Sequence, residues 1–433
     1  MITFYGDSVV SKVDPNTIWN RYLEQHIQST ESDLPQQFTV HPQLDSIVFN
    51  YIHEPIELKT FEQYANGKNV VIIGLHGGWN ELKLPLIKEW FLSNSNRTQA
   101  WHDVDCQIVI DYSEEGFTTE FFHAVHQWIN ENNLSDRVLY ISSSINVNEL
   151  YLNWCMQIRQ RPVMRATWFG FFANWINFNR RFTHDENYVV PMAQWKPGSK
   201  RYMSLNRRPY PHRILLATML EQHGLLEQGA VSMPKYFKEP DVDWEDSDFN
   251  MQYQWEMLVE RQNGHIDSLH TSFNSLFNKL PLIADTDRFE INHAMDLNSE
   301  FYKHYPINVV SETLFFTQSV FTSEKIWKPM LHGQIFIPMA APRYLQCLRE
   351  LGFKTFAPYI DEEYDLIEDP IERAHSLVNV LQDLVDLPES EFAELLLKCK
   401  PIVEHNRRLI NSKVELDRII SVRAARAIKT YWE

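Results

Sequence analysis

The chain has 433 residues, a mass of 51.4 kDa and a formal net charge of −17. Its length is too great for one hydrophobic core, so two domains of roughly 200 residues each are expected. The 44% hydrophobic content excludes long disorder, and the acidic balance disfavours nucleic acid as a partner without excluding it, because a negative field repels polyphosphate.

The cysteines and the N-terminal residues bear on cellular location, zinc binding and membrane insertion. The four cysteines are far apart and form no CxxC motif, which predicts neither a zinc site nor a disulfide framework and fits a reducing, cytoplasmic location. The opening residues MITFYGDSVV lack the regions of a signal peptide, and no window approaches 18 apolar residues. We therefore predict no membrane span and no cysteine-bound zinc.

Apolar runs alternate with helical patterns through the first half of the chain. The predicted elements are strands at 2–6, 69–77, 106–112 and 137–143, with a helix over 119–132 before the last of them. Apolar strands separated by helices indicate a parallel sheet covered on both faces. This pattern predicts an α/β N-terminal domain over residues 1–198.

A second alternation follows Pro197, Gly198 and Ser199, which interrupt the chain. The predicted elements are strands at 200–206, 307–312, 334–339 and 353–356, a helix over 213–224, and a terminal helix from 414. The sequence thus predicts an α/β fold of two domains in series, the second over 199–433. Ligands of such sheets bind beyond the carboxyl ends of the strands, and a cleft between the domains is expected.

The densest basic group of this acidic chain lies in SLNRRPYPHR, at 204–213. A strand there leads through a proline-rich turn into a helix whose first turn carries Arg213, with Arg207 and Arg208 just before it. Helix N-termini attract phosphate through free N–H groups, and arginine adds a bidentate fork. The alternative is that these arginines are solvated or form an internal ion pair.

A second candidate site is the run FTSEKIWKPMLHGQIFI, at 321–337. Thr322 or Ser323 can cap a helix that Gly333 ends, and a glutamate in the first turn suits the helix dipole. The dipole does not explain Lys325, whose charge lies at the wrong end. Pro329 predicts a helix that is kinked or begins late.

These runs resemble the α1,3-fucosyltransferase type of glycosyltransferase. In that family's donor-binding motif, an aromatic residue, a hydroxyl residue and Glu-Lys precede an apolar helix, a glycine and an apolar strand. The run VVSETLF, with Glu312, falls where the family has Phe-Glu-Asn-Ser, and SLNRRPYPHR falls at its donor-binding arginine. The resemblance covers roughly residues 200–356; Phe321 stands where the family has tyrosine, and Pro329 where its helix continues.

The resemblance implies a GT-B fold of two Rossmann-like domains that binds a nucleotide-diphosphate sugar, for example a guanosine diphosphate sugar, as co-substrate. It implies no metal and no resident cofactor. Arg213 and Lys325 would neutralise the diphosphate. Glu324 would hydrogen-bond ribose or sugar hydroxyls, and Phe321 would pack near the nucleotide. We add five further residues to the predicted donor site: Arg207, Arg208, Glu312, Thr322 and Ser323. The acceptor would be a hydroxylated molecule, such as a glycan, a small molecule or a modified nucleobase.

Glycosyl transfer with inversion also needs a base for the acceptor hydroxyl. The strand CQIVIDY and the residues after it offer Asp111, Glu114 and Glu115, of which we favour Glu115. The alternative is that these carboxylates cap the following helix. Asp-x-Asp pairs at 103–105 and 241–243 leave a metal-dependent enzyme as a minor alternative.

Two functions of other classes remain open. The run ITFYGDSVV resembles the first block of GDSL-type serine hydrolases, which would make Ser8 a nucleophile, with Asn80 in the oxyanion hole and Asp267 and His270 as its partners. A non-catalytic nucleotide- or glycan-binding module would bind a donor without turning it over.

Overall fold

The computed structural model describes residues 1–6, 52, 55–74, 83–113, 119–173, 192–236, 251–262, 266–285 and 299–433. The chain divides into two compact units. Unit 1 comprises Met1–Phe171 and Asp417–Glu433, and unit 2 comprises Phe172–Leu416. Within the described ranges, no helix is long and apolar enough to cross a membrane.

Unit 1 is built on a six-stranded parallel sheet. Its strands are β1 (Ile2–Gly6), β2 (Ile56–Thr60), β3 (Asn69–Gly74), β4 (Cys106–Tyr112), β5 (Val138–Ser142) and β6 (Met164–Trp168). They lie in the order β2-β1-β3-β4-β5-β6, with every neighbouring pair parallel. All residues of β3, β4 and β5 are buried, as expected of strands covered on both faces.

Unit 2 contains a four-stranded parallel sheet. Its strands are β7 (Tyr202–Leu205), β8 (Gly229–Ser232), β9 (Ile307–Ser311) and β10 (Ile335–Met339). The order is β10-β9-β7-β8. The carboxyl ends of β7 and β9, which are neighbours, therefore lie at the same edge of this sheet.

Helices connect the strands in both units. Those of unit 1 are α1 (Lys83–Leu92), α2 (Ser95–His102), α3 (Thr119–Glu131) and α4 (Val147–Gln157). Those of unit 2 are α5 (Pro211–Gln222), α6 (Met251–Arg261), α7 (His270–Lys279), α8 (Ser299–Tyr302), α9 (Glu324–His332), α10 (Tyr344–Glu350), α11 (Pro370–Asp386) and α12 (Glu389–Asn411). The last helix, α13 (Lys413–Lys429), belongs to unit 1 from Asp417 onwards.

The two faces of the unit 1 sheet are covered by different helices. One face packs against α1 to α4, where aromatic residues such as Trp101 and Phe122 join the core. The other face packs against α13 through Ala424, Ala425 and Ile428. Small side chains let this helix approach closely, and a Cβ on Gly170 would lie only 2.5 Å from Ile420 Cγ2.

Two all-parallel, helix-covered sheets confirm the predicted α/β class with two Rossmann-like units. The division of the chain differs from the predicted domains 1–198 and 199–433. The compact units part after Phe171, and Asp417–Glu433 join unit 1. Residues Asp417–Glu433 join unit 1 because the apolar face of α13 is buried against strands that lie far away in sequence.

The strand predicted at 353–356 is wrong, because this segment forms no ladder. The side chain of Asn406 occupies the hydrogen bonds of Lys354, accepting from its N–H at 2.8 Å and donating to its carbonyl at 2.7 Å. Phe353 packs against Trp327, and Phe356 against Phe336. The apolar residues that resemble a strand therefore fill the core from an irregular segment.

Candidate functional site

The candidate site of unit 2 lies at the carboxyl ends of β7 and β9. Asn206 and Arg207 follow β7 directly, and α5 begins at Pro211. Glu312 follows β9, and α9 begins at Glu324. Two helix N-termini thus follow two neighbouring strands, which is the arrangement in which parallel sheets bind anions.

The first turn of α5 carries a buried guanidinium. Arg213 is 4% exposed, and its Nη1 donates to the Arg208 carbonyl at 3.4 Å. Its guanidinium lies 4.9 Å from the centre of the Tyr210 ring, while its Nε has no hydrogen-bond partner in the described part of the chain. Burial lowers the pKa of Arg213, and the nearby Tyr210, Glu324 and Glu312 act in the opposite direction.

His212 connects α5 to the end of β9. Its Nε2 lies 2.7 Å from the Glu312 carbonyl oxygen, which can only accept, so Nε2 carries the hydrogen. Burial holds the pKa of His212 well below its usual value, and Arg213 and Lys325 lower it further. This histidine is therefore a neutral link between the two halves of the site.

The caps predicted for α9 are confirmed. Ser323 is the N-cap and accepts from the Lys325 backbone N–H at 3.3 Å, and Gly333 ends the helix at a φ of 66°. The helix begins at Glu324 and continues through Pro329 to His332. The late start suggested by Pro329 is therefore wrong, because the Ser323 cap fixes the first turn.

Lys325 is surrounded by oxygen atoms. Its ammonium donates to Glu324 Oε1 at 2.7 Å, Ser323 Oγ at 3.2 Å and Thr313 Oγ1 at 3.4 Å. Its side chain is 27% exposed, whereas the adjoining Glu324 side chain is 11% exposed. The ammonium is thus partly accessible and held in place on one side.

The two carboxylates of the site have opposite pKa shifts. Burial raises the pKa of Glu312, with Lys325 only partly offsetting it. Burial also acts to raise the pKa of Glu324, but Lys325 and Lys328 outweigh it and the pKa falls below the usual value. Glu324 is consequently the carboxylate that the local cations keep ionised.

Glu312 is fully buried, and both of its carboxylate oxygens are hydrogen-bonded. Ser323 Oγ donates to Oε2 at 2.5 Å, and the Tyr344 hydroxyl donates to Oε1 at 2.7 Å. Tyr344 begins α10, the helix that follows β10, and was not anticipated from the sequence. A tyrosine a few residues after a predicted strand end is the one signal that could have suggested it.

The residues before α9 belong to the core. Phe321 and Thr322 are buried, and the Phe321 ring packs edge-to-face on Phe172 with 5.8 Å between ring centres. This packing fixes the chain that leads into the Ser323 cap.

The remaining arginines of the predicted donor site are placed differently. Arg207 forms a two-pronged ion pair with Asp285, whose side chain is 2% exposed and also accepts from Ser232 Oγ at 2.8 Å. Arg208 is exposed and donates to the Tyr210 hydroxyl at 3.2 Å. Arg207 thus follows the ion-pair alternative, with a partner that sequence reasoning did not identify.

Asp111 is the last residue but one of β4, near the carboxyl edge of the unit 1 sheet. It is buried, and its Oδ1 accepts from the Ser113 N–H at 3.1 Å. The other predicted bases, Glu114 and Glu115, lie outside the described residues.

The residues of the alternative functions are only partly described. Ser8 and Asn80 lie outside the described residues, as does the Asp-x-Asp pair at 241–243. Asp267 and His270 are exposed, in unit 2. In the other Asp-x-Asp pair, Asp103 accepts from the Tyr64 hydroxyl at 2.7 Å and from the Asp105 N–H at 3.0 Å, which is a structural role.

No protein-family model matches the chain, and no curated protein matches it in sequence. Solved structures resemble it at low identity. Anabaena HepE in complex with UDP and glucose has a TM-score of 0.41 at 10% identity, over 99% of each chain. An α,α-trehalose-phosphate synthase (UDP-forming) from Burkholderia vietnamiensis has a TM-score of 0.38 at 10% identity, over 84% of this chain and 74% of that one. The trehalose-6-phosphate synthase OtsA has a TM-score of 0.36 at 11% identity, over 77% and 76%.

Proposed function

We propose that the chain is a glycosyltransferase that takes a sugar from a nucleotide-diphosphate donor to a hydroxyl acceptor, and that unit 2 binds the donor. The observation that carries the proposal is the buried Arg213, whose Nε has no partner in the described chain, at a helix N-terminus linked to that of Lys325. Hydrogen bonds link the first turns of α5 and α9. His212 in α5 donates to the Glu312 carbonyl, and the Glu312 carboxylate accepts from Ser323, the N-cap of α9.

A buried donor without a hydrogen-bond partner is costly, so a guanidinium whose Nε has none in the described chain, at a helix N-terminus, is suited to an anionic ligand. Arg213 supplies a fork, and Lys325 supplies a point charge. A diphosphate would gain both cations and the positive ends of the α5 and α9 helix dipoles. The motif resemblance of residues 200–356 adds the expectation that this anion is the leaving group of a nucleotide sugar, and that its charge is neutralised without a metal.

In this reaction the acceptor oxygen attacks the anomeric carbon, and the bond from that carbon to the diphosphate oxygen breaks. The electron pair leaves with the diphosphate, where Arg213 and Lys325 stabilise the growing charge. With inversion, a carboxylate takes the acceptor proton, for which we keep Asp111, Glu114 and Glu115 as candidates. Glu324, kept ionised by its cations, would accept from sugar or ribose hydroxyls.

A thermal-shift titration with UDP, GDP and ADP tests the donor site. At least one of them should raise the melting temperature of the wild type, because a ligand that binds only the folded state stabilises it. Lys325→Met and Arg213→Lys should lose most of that shift. The exposed Lys398→Ala, which removes a surface ion pair with Glu394, should keep it.

Two results would overturn the donor site: no diphosphate stabilises the wild type, or both variants respond as the wild type does. Release of nucleoside diphosphate from a panel of nucleotide sugars then separates the enzyme from a binding module. If a nucleotide sugar binds but no nucleoside diphosphate is released with any hydroxylated acceptor in the panel, the protein is a non-catalytic binding module.

A further inference from the structure

A chain of hydrogen bonds connects Tyr344 to the Lys325 ammonium. The Tyr344 hydroxyl donates to Glu312 Oε1, and Ser323 Oγ donates to Glu312 Oε2. Ser323 Oγ in turn lies 3.2 Å from Lys325 Nζ and 3.3 Å from its backbone N. Three of these side chains, those of Tyr344, Glu312 and Ser323, are at most 1% exposed.

The direction of each bond is set by chemistry. The Lys325 ammonium and backbone N–H can only donate to Ser323 Oγ, so the single hydrogen of the Ser323 hydroxyl points to Glu312. The lone pairs of that oxygen are then turned toward Lys325, which donates from its ammonium and from its backbone. Glu312 thereby orients the cap of α9 and fixes one contact of the ammonium.

We infer that Glu312 and Tyr344 are positioning residues that hold the Lys325 ammonium where the donor diphosphate binds. This inference rests on the proposed function. Neither residue touches the donor; both act through Ser323. Tyr344 has a distinct part, because its hydroxyl satisfies the far oxygen of a buried carboxylate. Without that hydroxyl, Glu312 would hold an unsatisfied charge and attract the Lys325 ammonium away from the ligand.

A double-mutant cycle on Tyr344 and Lys325, with inorganic pyrophosphate as the probe in isothermal titration calorimetry, tests the inference. Lys325→Met should weaken pyrophosphate binding about ten- to a hundredfold, the range of a charge-assisted hydrogen bond. Tyr344→Phe should weaken it roughly three- to tenfold in the wild type and not at all in the Lys325→Met background. A general loosening of the fold would weaken binding in both backgrounds.

A rescue variant and a matched control sharpen the test. Glu312→Gln in the Tyr344→Phe background should restore at least the wild-type affinity, because the amide can still accept from Ser323 and no longer attracts the ammonium. Tyr202→Phe should leave the affinity unchanged. It removes another buried hydroxyl of unit 2, one that donates to the Leu225 carbonyl at 2.7 Å.

The outcomes separate this inference from the proposed function. If Lys325→Met weakens binding but Tyr344→Phe has no effect, or has the same effect in both backgrounds, the positioning role is overturned and the donor site stands. Failure of the rescue also overturns the positioning role. If the wild type does not bind pyrophosphate, or Lys325→Met binds it equally well, the donor site itself is overturned.

Discussion

Glu324 and Lys325, neighbours in the chain, form an ion pair with 2.7 Å between carboxylate oxygen and ammonium nitrogen. An anion that approaches Lys325 therefore also meets the charge of Glu324. The pair keeps Glu324 ionised and in place, and it offers a ligand one positive and one negative group side by side. Such a pair suits a molecule that carries both a phosphate and hydroxyl groups.

The pair leads to a prediction about charge. Glu324→Gln should strengthen the binding of inorganic pyrophosphate about threefold or more, because it removes a repelling carboxylate from a partly buried site. Calorimetry measures the change. The exposed Glu368→Gln is the control and should have no effect. A weaker affinity in Glu324→Gln would contradict the proposed arrangement of the diphosphate at Lys325.

The Arg207–Asp285 pair predicts a large effect on stability. Arg207→Met leaves the carboxylate of Asp285 buried without its cation, which costs about 3–5 kcal/mol in the free energy of unfolding. Adding Asp285→Asn should recover most of that loss, because the charge is then gone. Urea unfolding of the single and double variants provides the measurement. An Arg207→Met variant as stable as the wild type would show that the pair contributes nothing.

His332 predicts a loss of stability in acid. Burial lowers its pKa from 6.5 to about 4, and its Nδ1 lies 2.9 Å from the Lys328 carbonyl oxygen. As the pH falls, His332 is therefore protonated in the unfolded chain before it is protonated in the folded one. The free energy of unfolding decreases for this reason between pH 6.5 and about 4, and the effect is constant below pH 4. The wild type should lose about 3 kcal/mol more than His332→Gln between pH 7 and pH 4.

Chemical denaturation at several pH values checks this difference, with the exposed His270→Gln as the control that follows the wild type. If the free energies of unfolding of the wild type and His332→Gln decrease in parallel with falling pH, His332 is not the source of the acid destabilisation.

Two glycines with nearly the same φ allow a matched comparison. Gly333 and Gly224 have φ values of 66° and 67°. A Cβ on Gly333 would lie 2.6 Å from Met192 Cγ, whereas a Cβ on Gly224 meets no atom within 4 Å. Gly224→Ala should cost about 1–2 kcal/mol of left-handed strain, and Gly333→Ala at least 1 kcal/mol more because of the contact. Equal losses in thermal unfolding would contradict the close approach.

Four strands of unit 1, β1, β3, β4 and β5, were readable from the sequence because they are buried on both faces. Continuous apolar runs predicted β1 and β4 with their observed bounds, and the amphipathic pattern predicted α3 to within one residue. β6, with the sequence MRATW, escaped prediction because its Arg165 interrupts the run. In the structure that arginine donates to the Ala427 carbonyl at the end of α13, 262 residues away.

Within the site, the sequence by itself determined those features that depend only on residues close together in the chain. The Ser323 cap, the glycine that ends α9 and the Glu324–Lys325 pair all lie within one short run, so local chemistry was sufficient to predict the first two. Which arginine forms an ion pair was not decidable, because Arg207 meets a partner 78 residues further on.

Only the tertiary structure decided the surroundings of Glu312. Its partner Tyr344 is 32 residues away in the chain. Tyr344 reaches Glu312 because β9 and β10 are neighbours in the sheet, and only the tertiary structure gives that strand order. Burial then changes the chemistry of each group, raising the pKa of Glu312 while the cations lower that of Glu324. The two glutamates thus take different roles, Glu312 as a fully buried support and Glu324 as a more exposed contact, because their solvation and neighbours differ.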